Sequence, residues 1–183
     1  YMTAMDRIWQ DVVGRKLYVT GGIGATSRGE AFGKGYELPN MSAYNETCAA
    51  VGNDFWNHRL FLLHADARYL DVMERTLYNG LLSGVSLDGR SFFYPNPLES
   101  SGQHQRSPWF GVACCPGNVT RFLASFPGYM YAQQGQTLYV NLFAAGTATV
   151  AMDGGRLVTV RQDTKYPWDG AVRLTITPAT AGR

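Results

Sequence analysis

The sequence predicts a mixed chain, helical up to about residue 128 and stranded after it. Three observations carry this. Before Pro127, apolar residues recur three and four apart over several long stretches. After Pro127-Gly128 the pattern becomes short runs of β-branched and aromatic residues separated by Gly-rich turns. Hydrophobic residues make up 45% of the 183 positions and charged residues only 16%, enough to bury a core and too apolar for disorder. The strand series reads as the opening of a β-sandwich.

The first helix spans Tyr1 to Val13, with Met5, Ile8, Trp9 and Val12 on one face and Gly14 as its stop. Leu17-Tyr18-Val19-Thr20 reads as extended and enters the loop Gly21-Gly22-Ile23-Gly24. That loop lacks the Gly-Lys-Ser/Thr ending of a phosphate loop, so its glycines are read as serving positive φ or close backbone approach. Residues 25–41 are a polar loop. Residues 44–64 and 66–83 form a helical hairpin: Cys48, Val51, Phe55 and Leu62 line one stripe, Tyr69, Leu70, Met73, Leu77 and Leu81 the other, and Asp66 caps the second helix. The short connection makes the pair antiparallel.

Leu87-Asp88-Gly89-Arg90 is a turn, Ser91-Phe92-Phe93-Tyr94 an extended run, and residues 96–110 a loop holding His104, Arg106 and Trp109. A further helix starts near Cys115-Pro116, since proline suits the first helical turn, and carries Val119, Phe122, Leu123 and Phe126. Strands follow over 129–132, 137–143, 147–150, 156–160 and 171–176. Helices before residue 128 and strands after it make two segments, 1–128 and 129–183. Tyr1 in place of an initiator methionine, and an end just past a strand-like run, read as an internal piece of a longer protein.

Sixteen Lys and Arg against 14 Asp and Glu give a net charge of +2, which offers no electrostatic case for nucleic acid or a membrane surface. No apolar stretch is long enough to span a bilayer. The aromatics (11 Tyr, 9 Phe, 4 Trp) serve either a large core or stacking against rings, sugar rings included.

Chemistry is concentrated in a few residues. The three cysteines, Cys48, Cys114 and Cys115, are an odd count, and adjacent cysteines pair poorly with each other. Buried thiols, redox thiols and metal ligands all remain open. Cys114-Cys115-Pro116 at a helix start favours thiolates through the helix dipole and free N–H groups. Glu46 and Cys48 sit two apart, on nearly opposite faces within a helix but able to converge at a helix start. Together Glu46, Cys48, Cys114 and Cys115 would make a tetrahedral sulfur and oxygen site suited to zinc. Glu30 beside apolar neighbours is either a general acid of raised pKa or a solvated loop carboxylate. His58, His64 and His104 are scattered, and no Ser-His-Asp order is present.

The ordered motifs together resemble glycoside hydrolase family 127, the β-L-arabinofuranosidase-like family. They are Thr20-Gly21-Gly22-Ile23-Gly24, Gly29-Glu30-Ala31-Phe32, Tyr36-Glu37-Leu38-Pro39-Asn40 and Tyr44-Asn45-Glu46-Thr47-Cys48-Ala49. They continue in Phe92-Phe93-Tyr94-Pro95-Asn96-Pro97-Leu98, Trp109-Phe110-Gly111-Val112-Ala113-Cys114-Cys115-Pro116 and Tyr166-Pro167-Trp168-Asp169-Gly170. The resemblance covers most of the chain, and its specificity lies in the combination.

The resemblance implies the last part of an (α/α)6 barrel over 1–128, then the opening strands of a β-sandwich. It implies a retaining glycosidase that releases terminal β-L-arabinofuranosyl residues from plant-type glycans with a zinc-held cysteine. By motif position Glu46, Cys48, Cys114 and Cys115 are the zinc ligands, Cys114 the nucleophile, Glu30 the general acid/base and Tyr94 a sugar contact. Val112 stands where the family often has a further cysteine, and Gly117 replaces the second proline of its Cys-Cys-Pro-Pro-Asn run. The isolated piece is expected to be inactive. Expected partners are a carbohydrate substrate, with no nucleic acid and no membrane, and a homodimer of the parent is allowed. Reduced thiols fit a cytoplasm, a periplasmic or secreted parent being the other reading. Two competing readings are a non-catalytic carbohydrate-binding or structural protein with a structural zinc, and a redox thiol protein.

Overall fold

A computed structural model describes residues 1–178; residues 179–183, the end of the second expected segment, lie outside the described residues. The chain divides into two compact units, Tyr1–Ala124 and Ser125–Arg183.

In the first unit, helix α1 (Met2–Arg15) runs through Gly14 instead of stopping there. Its last turn is held by Asp11, which pairs with both Arg15 and Lys16, and these cations suit the negative end of the helix. Trp9 and Val12 are buried as expected, but Ile8 faces out at 57% exposure. The Trp9 indole donates to Asn57 Oδ1 at 2.8 Å and meets Tyr69 edge-on at 4.8 Å.

Leu17–Thr20 is not extended. Gly21 N–H donates to Tyr18 O (2.8 Å) and Tyr18 N–H to Gly22 O (3.0 Å), closing a tight turn. Gly21 has φ +82°, and a Cβ there would lie 2.6 Å from Thr76 Cα, so both expected uses of glycine meet at one residue.

Helix α2 (Thr47–His64) ends at Ala65 in the left-handed region, and Asp66 caps α3 (Ala67–Arg75) by accepting from Arg68 N–H at 2.9 Å. The two helices pack against each other. The expected second helix does not stay regular to residue 83. It widens into a π-helical stretch, Thr76–Leu81, and tightens into a 3₁₀ turn, Leu82–Gly84. The buried Thr76 hydroxyl lies 2.8 Å from Val72 O, where it competes with the helical ladder, and accepts from Asn53 Nδ2 at 3.1 Å.

Residues 85–113 carry no regular element. Isolated bridges join Val85 to Phe92 and Phe92 to Ser107. The loop expected over 96–110 is pinned by aromatic contacts: Phe93 stacks on His104 at 4.5 Å and holds the Arg106 guanidinium 4.3 Å from its ring centre. Helix α4 (Cys114–Ser125) starts one residue before the expected Cys115 and buries Val119 and Phe122, the latter against Phe55 at 5.7 Å.

In the second unit, β1 (Tyr131–Gln134) pairs antiparallel with β2 (Thr137–Val140). A three-stranded antiparallel sheet has the order β3 (Gly146–Ala151), β4 (Leu157–Thr164), β5 (Val172–Pro178). Alternation along β4 buries Val158, Val160 and Gln162, and Met152, Val158 and Val160 form a cluster backed by Tyr131, Leu138 and Val150. The first strand begins two residues later than expected, the second stops at Val140, and β4 runs on to Thr164. No helix among the described residues is long and apolar enough to cross a membrane.

Candidate metal centre

The start of α2 brings Glu46 and Cys48 together. Glu46 is the N-cap residue with extended ψ, so the carboxylate leaves the chain before the helix begins while Cys48 lies in the first turn. Thr47 between them is fully buried and tied twice to the neighbouring segment: its N–H donates to Tyr94 O at 3.0 Å and its hydroxyl to Phe93 O at 2.8 Å. Asn96 N–H donates to Tyr44 O (2.8 Å), so residues 93–96 run alongside 44–47. That pairing carries Tyr94 to the site. The start of α4 delivers Cys114 and Cys115 to the same place, and both helix N-termini favour negative charge there.

Four side chains converge. Cys48 Sγ lies 3.2 Å from Cys115 Sγ, and Cys114 Sγ lies 3.9 Å from Cys115 Sγ. Glu46 Oε1 is 3.4 Å from Cys114 Sγ and 3.7 Å from Cys115 Sγ. All four donor atoms fall within 4.8 Å of one another. Tetrahedral zinc, with bonds of about 2.3 Å to sulfur and about 2.0 Å to oxygen, needs edges of about 3.8 Å between sulfurs and about 3.5 Å from sulfur to oxygen. The observed spacings bracket those edges, and the donor set of three thiols and a carboxylate suits that ion.

Crowding here makes thiol ionisation costly. The Cys48 thiol is held well above the ordinary thiol range, first by its hydrogen bond with Cys115 and then by burial, with the Asn118 amide acting in the opposite sense. Burial raises Cys114, and the Tyr94 hydroxyl, 3.2 Å away, opposes that rise. A divalent cation bound by these donors would stabilise the thiolates instead. Cys115 is buried, whereas Cys48 and Cys114 are half-buried.

Tyr94 is in contact with the cluster. Its own ionisation is pushed far up, chiefly by the bond to Cys114, and its ring meets Phe110 edge-on at 5.5 Å and Tyr44 at 6.3 Å. Glu30 is not among the clustered donors. It is exposed, at φ +50°, in the turn closed by the Thr26 and Ala31 bridge. Its neighbour Phe32 is 43% exposed, so the apolar surroundings expected for Glu30 are not there. What reaches it is Tyr44, whose hydroxyl donates to Glu30 Oε1 at 3.0 Å. Tyr44 itself is raised by burial, then by Glu30 and Glu46. Glu30, Tyr44, Tyr94 and Cys114 thus form a run of neighbouring side chains.

Two residues escaped the sequence reading as individuals. Tyr44 bonds to a partner 14 positions away, for which no local pattern exists. Asn118 donates to Cys48 Sγ at 3.1 Å, and its spacing of four from Cys114 was the available signal.

Residues 1–128 match the family model described as Beta-L-arabinofuranosidase, GH127 catalytic domain, and residues 137–183 match the GH127 middle domain. The non-reducing end beta-L-arabinofuranosidase of Bifidobacterium longum subsp. longum is 39% identical over 189 residues, covering 96% of this chain and 28% of that protein. A solved GH127 beta-arabinofuranosidase is 60% identical with a TM-score of 0.94, over 97% of this chain and 28% of the other. The GH127 beta-L-arabinofuranosidase from Geobacillus stearothermophilus T6 is 44% identical with a TM-score of 0.88, over 95% of this chain and 29% of the other. The chain therefore spans under a third of the length of these relatives. Matched over both segments, with its Glu and Cys cluster assembled from motifs at the starts of two helices, the chain belongs to glycoside hydrolase family 127.

Proposed function

We propose that the parent protein is a retaining glycosidase releasing terminal β-L-arabinofuranosyl residues from plant-type glycans, with Cys114 as nucleophile in a zinc site of Glu46, Cys48, Cys114 and Cys115. The observation that carries this is the convergence of those four donors at spacings suited to tetrahedral zinc. The names of the relatives supply the sugar. In this reading residues 1–128 are the last part of an (α/α)6 barrel and 129–183 the opening of a β-sandwich. The isolated chain, spanning 28% of the first relative, is expected to be inactive.

Zinc, when bound, would keep the sulfurs deprotonated at neutral pH. The chain's own residues do the rest. Cys114, half-buried and reachable, directs its sulfur at the anomeric carbon. The carbon–sulfur bond forms as the bond to the leaving oxygen breaks, and Glu30 gives that oxygen its proton. Glu30 then takes a proton from water, which displaces the sulfur. Two inversions give retention. Tyr94 holds its hydroxyl at the Cys114 sulfur, where it both orients the nucleophile and meets the sugar. Tyr44 aims the Glu30 carboxylate.

The test is Cys114→Ser in the full-length parent, assayed on an aryl β-L-arabinofuranoside. Turnover is expected to fall by about 10⁴-fold or more, as for other nucleophile removals. Near-normal rates would overturn the assignment. Zinc retained in a parent that binds but never cleaves the sugar would favour the structural-zinc reading.

A further inference from the structure

We infer that Asn118 is a positioning residue for this centre: its side-chain amide clamps the Cys48 sulfur and sets that sulfur's strength as a ligand. This rests on the zinc reading above. The amide's orientation follows from its second partner. Arg121 donates from its guanidinium to Asn118 Oδ1 at 2.8 Å, and a guanidinium can only donate. The carbonyl end therefore faces Arg121, and the NH₂ end faces Cys48 Sγ at 3.1 Å. A neutral thiol is a weak acceptor, whereas a thiolate makes a charge-assisted bond. The arrangement is thus worth most when Cys48 is ionised, the form a ligand takes.

The placement on α4 explains why one helix can organise the site. Asn118 lies one turn after Cys114, on the same face. Helix α4 therefore supplies two sulfurs directly and grips the third, which comes from α2. Arg121 also lies over the Phe55 ring of α2 at 5.4 Å, joining the same two helices. Partners that orient ligands in this way tune metal sites, and their loss weakens binding by about 10- to 100-fold.

Asn118 is half-buried and flanked by exposed Gly117, Thr120 and Arg121, while Val119 and Phe122 carry the packing of α4. Asn118→Leu and Asn118→Asp should therefore fold. In the full-length parent, zinc affinity is measured by competition with a chromophoric chelator. Cobalt(II) replaces zinc for the sulfur-to-metal absorption band. Both variants are expected to bind zinc at least tenfold more weakly, Asp more so through repulsion of the Cys48 thiolate. In Asn118→Leu the cobalt band should move to lower energy, since a sulfur without its donor gives up charge more readily. A merely structural asparagine would leave that band in place. Wild-type affinity and an unmoved band in the variants overturn this inference alone. A wild-type protein that binds no zinc overturns the metal reading, and this inference with it.

Discussion

Gly84 lies outside the donor set, yet replacing it should damage the proposed metal centre. A Cβ built on Gly84 would lie 2.6 Å from Thr47 Oγ1 and 2.9 Å from Thr47 Cγ2, while Thr47 Cβ would be 3.4 Å away. Thr47 stands between Glu46 and Cys48, is fully buried, and its hydroxyl bonds Phe93 O. It cannot retreat without breaking that bond or moving the start of α2. Overpacking costs about 1–3 kcal/mol, and loss of the buried hydrogen bond adds about 1 kcal/mol. Gly84→Ala should therefore destabilise by about 2–4 kcal/mol and weaken zinc binding. Thr47→Ala removes both offending atoms. The double variant Gly84→Ala/Thr47→Ala should then cost no more than Thr47→Ala alone, about 1–3 kcal/mol for the orphaned Phe93 carbonyl. Urea denaturation of the full-length parent and its three variants gives the coupling. A double variant as unstable as the sum of the singles would refute the steric reasoning.

Two further outcomes are expected. Asp54 is fully buried on α2, neither carboxylate oxygen has a hydrogen-bond partner among the described residues, and burial raises its pKa well above the ordinary carboxylate range. The folded state thus keeps a proton that the unfolded chain releases near pH 4, so stability falls as pH rises from there towards the folded pKa; Asp54→Asn should flatten that slope in denaturation series across pH, and an unchanged slope would contradict it. Tyr44→Phe removes the hydroxyl that donates to Glu30, and loss of that hydrogen bond, about 1.4 kcal/mol, lowers kcat/KM about tenfold on an aryl arabinofuranoside; unaltered kinetics would show that Glu30 needs no such orientation.

The donor set was legible because helix starts carry local signals. Glu46 and Cys48 can converge only at a helix start, and the fold begins α2 at Thr47, where a spacing of two does converge. Asp66 as a cap and Gly21 as a close approach were readable for the same reason: each acts within its own turn or by lacking a side chain. What was hidden depended on distant partners. Leu17–Thr20 has strand-like residues, but the Gly21 turn folds them beneath Thr76, 55 positions on. Leu77 and Leu81 keep a helical spacing of four through the π-helical stretch, so periodicity could not reveal it. Ile8 completes the apolar stripe of α1 by spacing, yet the fold buries Trp9 and Val12 and leaves Ile8 exposed. The surroundings of Glu30 are set by Tyr44 and by a turn at positive φ, neither of which its apolar neighbours announce.

In the proposed site Glu46, Cys48, Cys114 and Cys115 together hold one zinc. The most direct measurement is zinc per chain in reduced, chelator-washed full-length parent, with Cys48→Ser beside it. About one zinc per chain is expected in the wild type, with loss of that zinc in the variant. A wild type without zinc, or a Cys48→Ser protein that holds it as firmly, would contradict it.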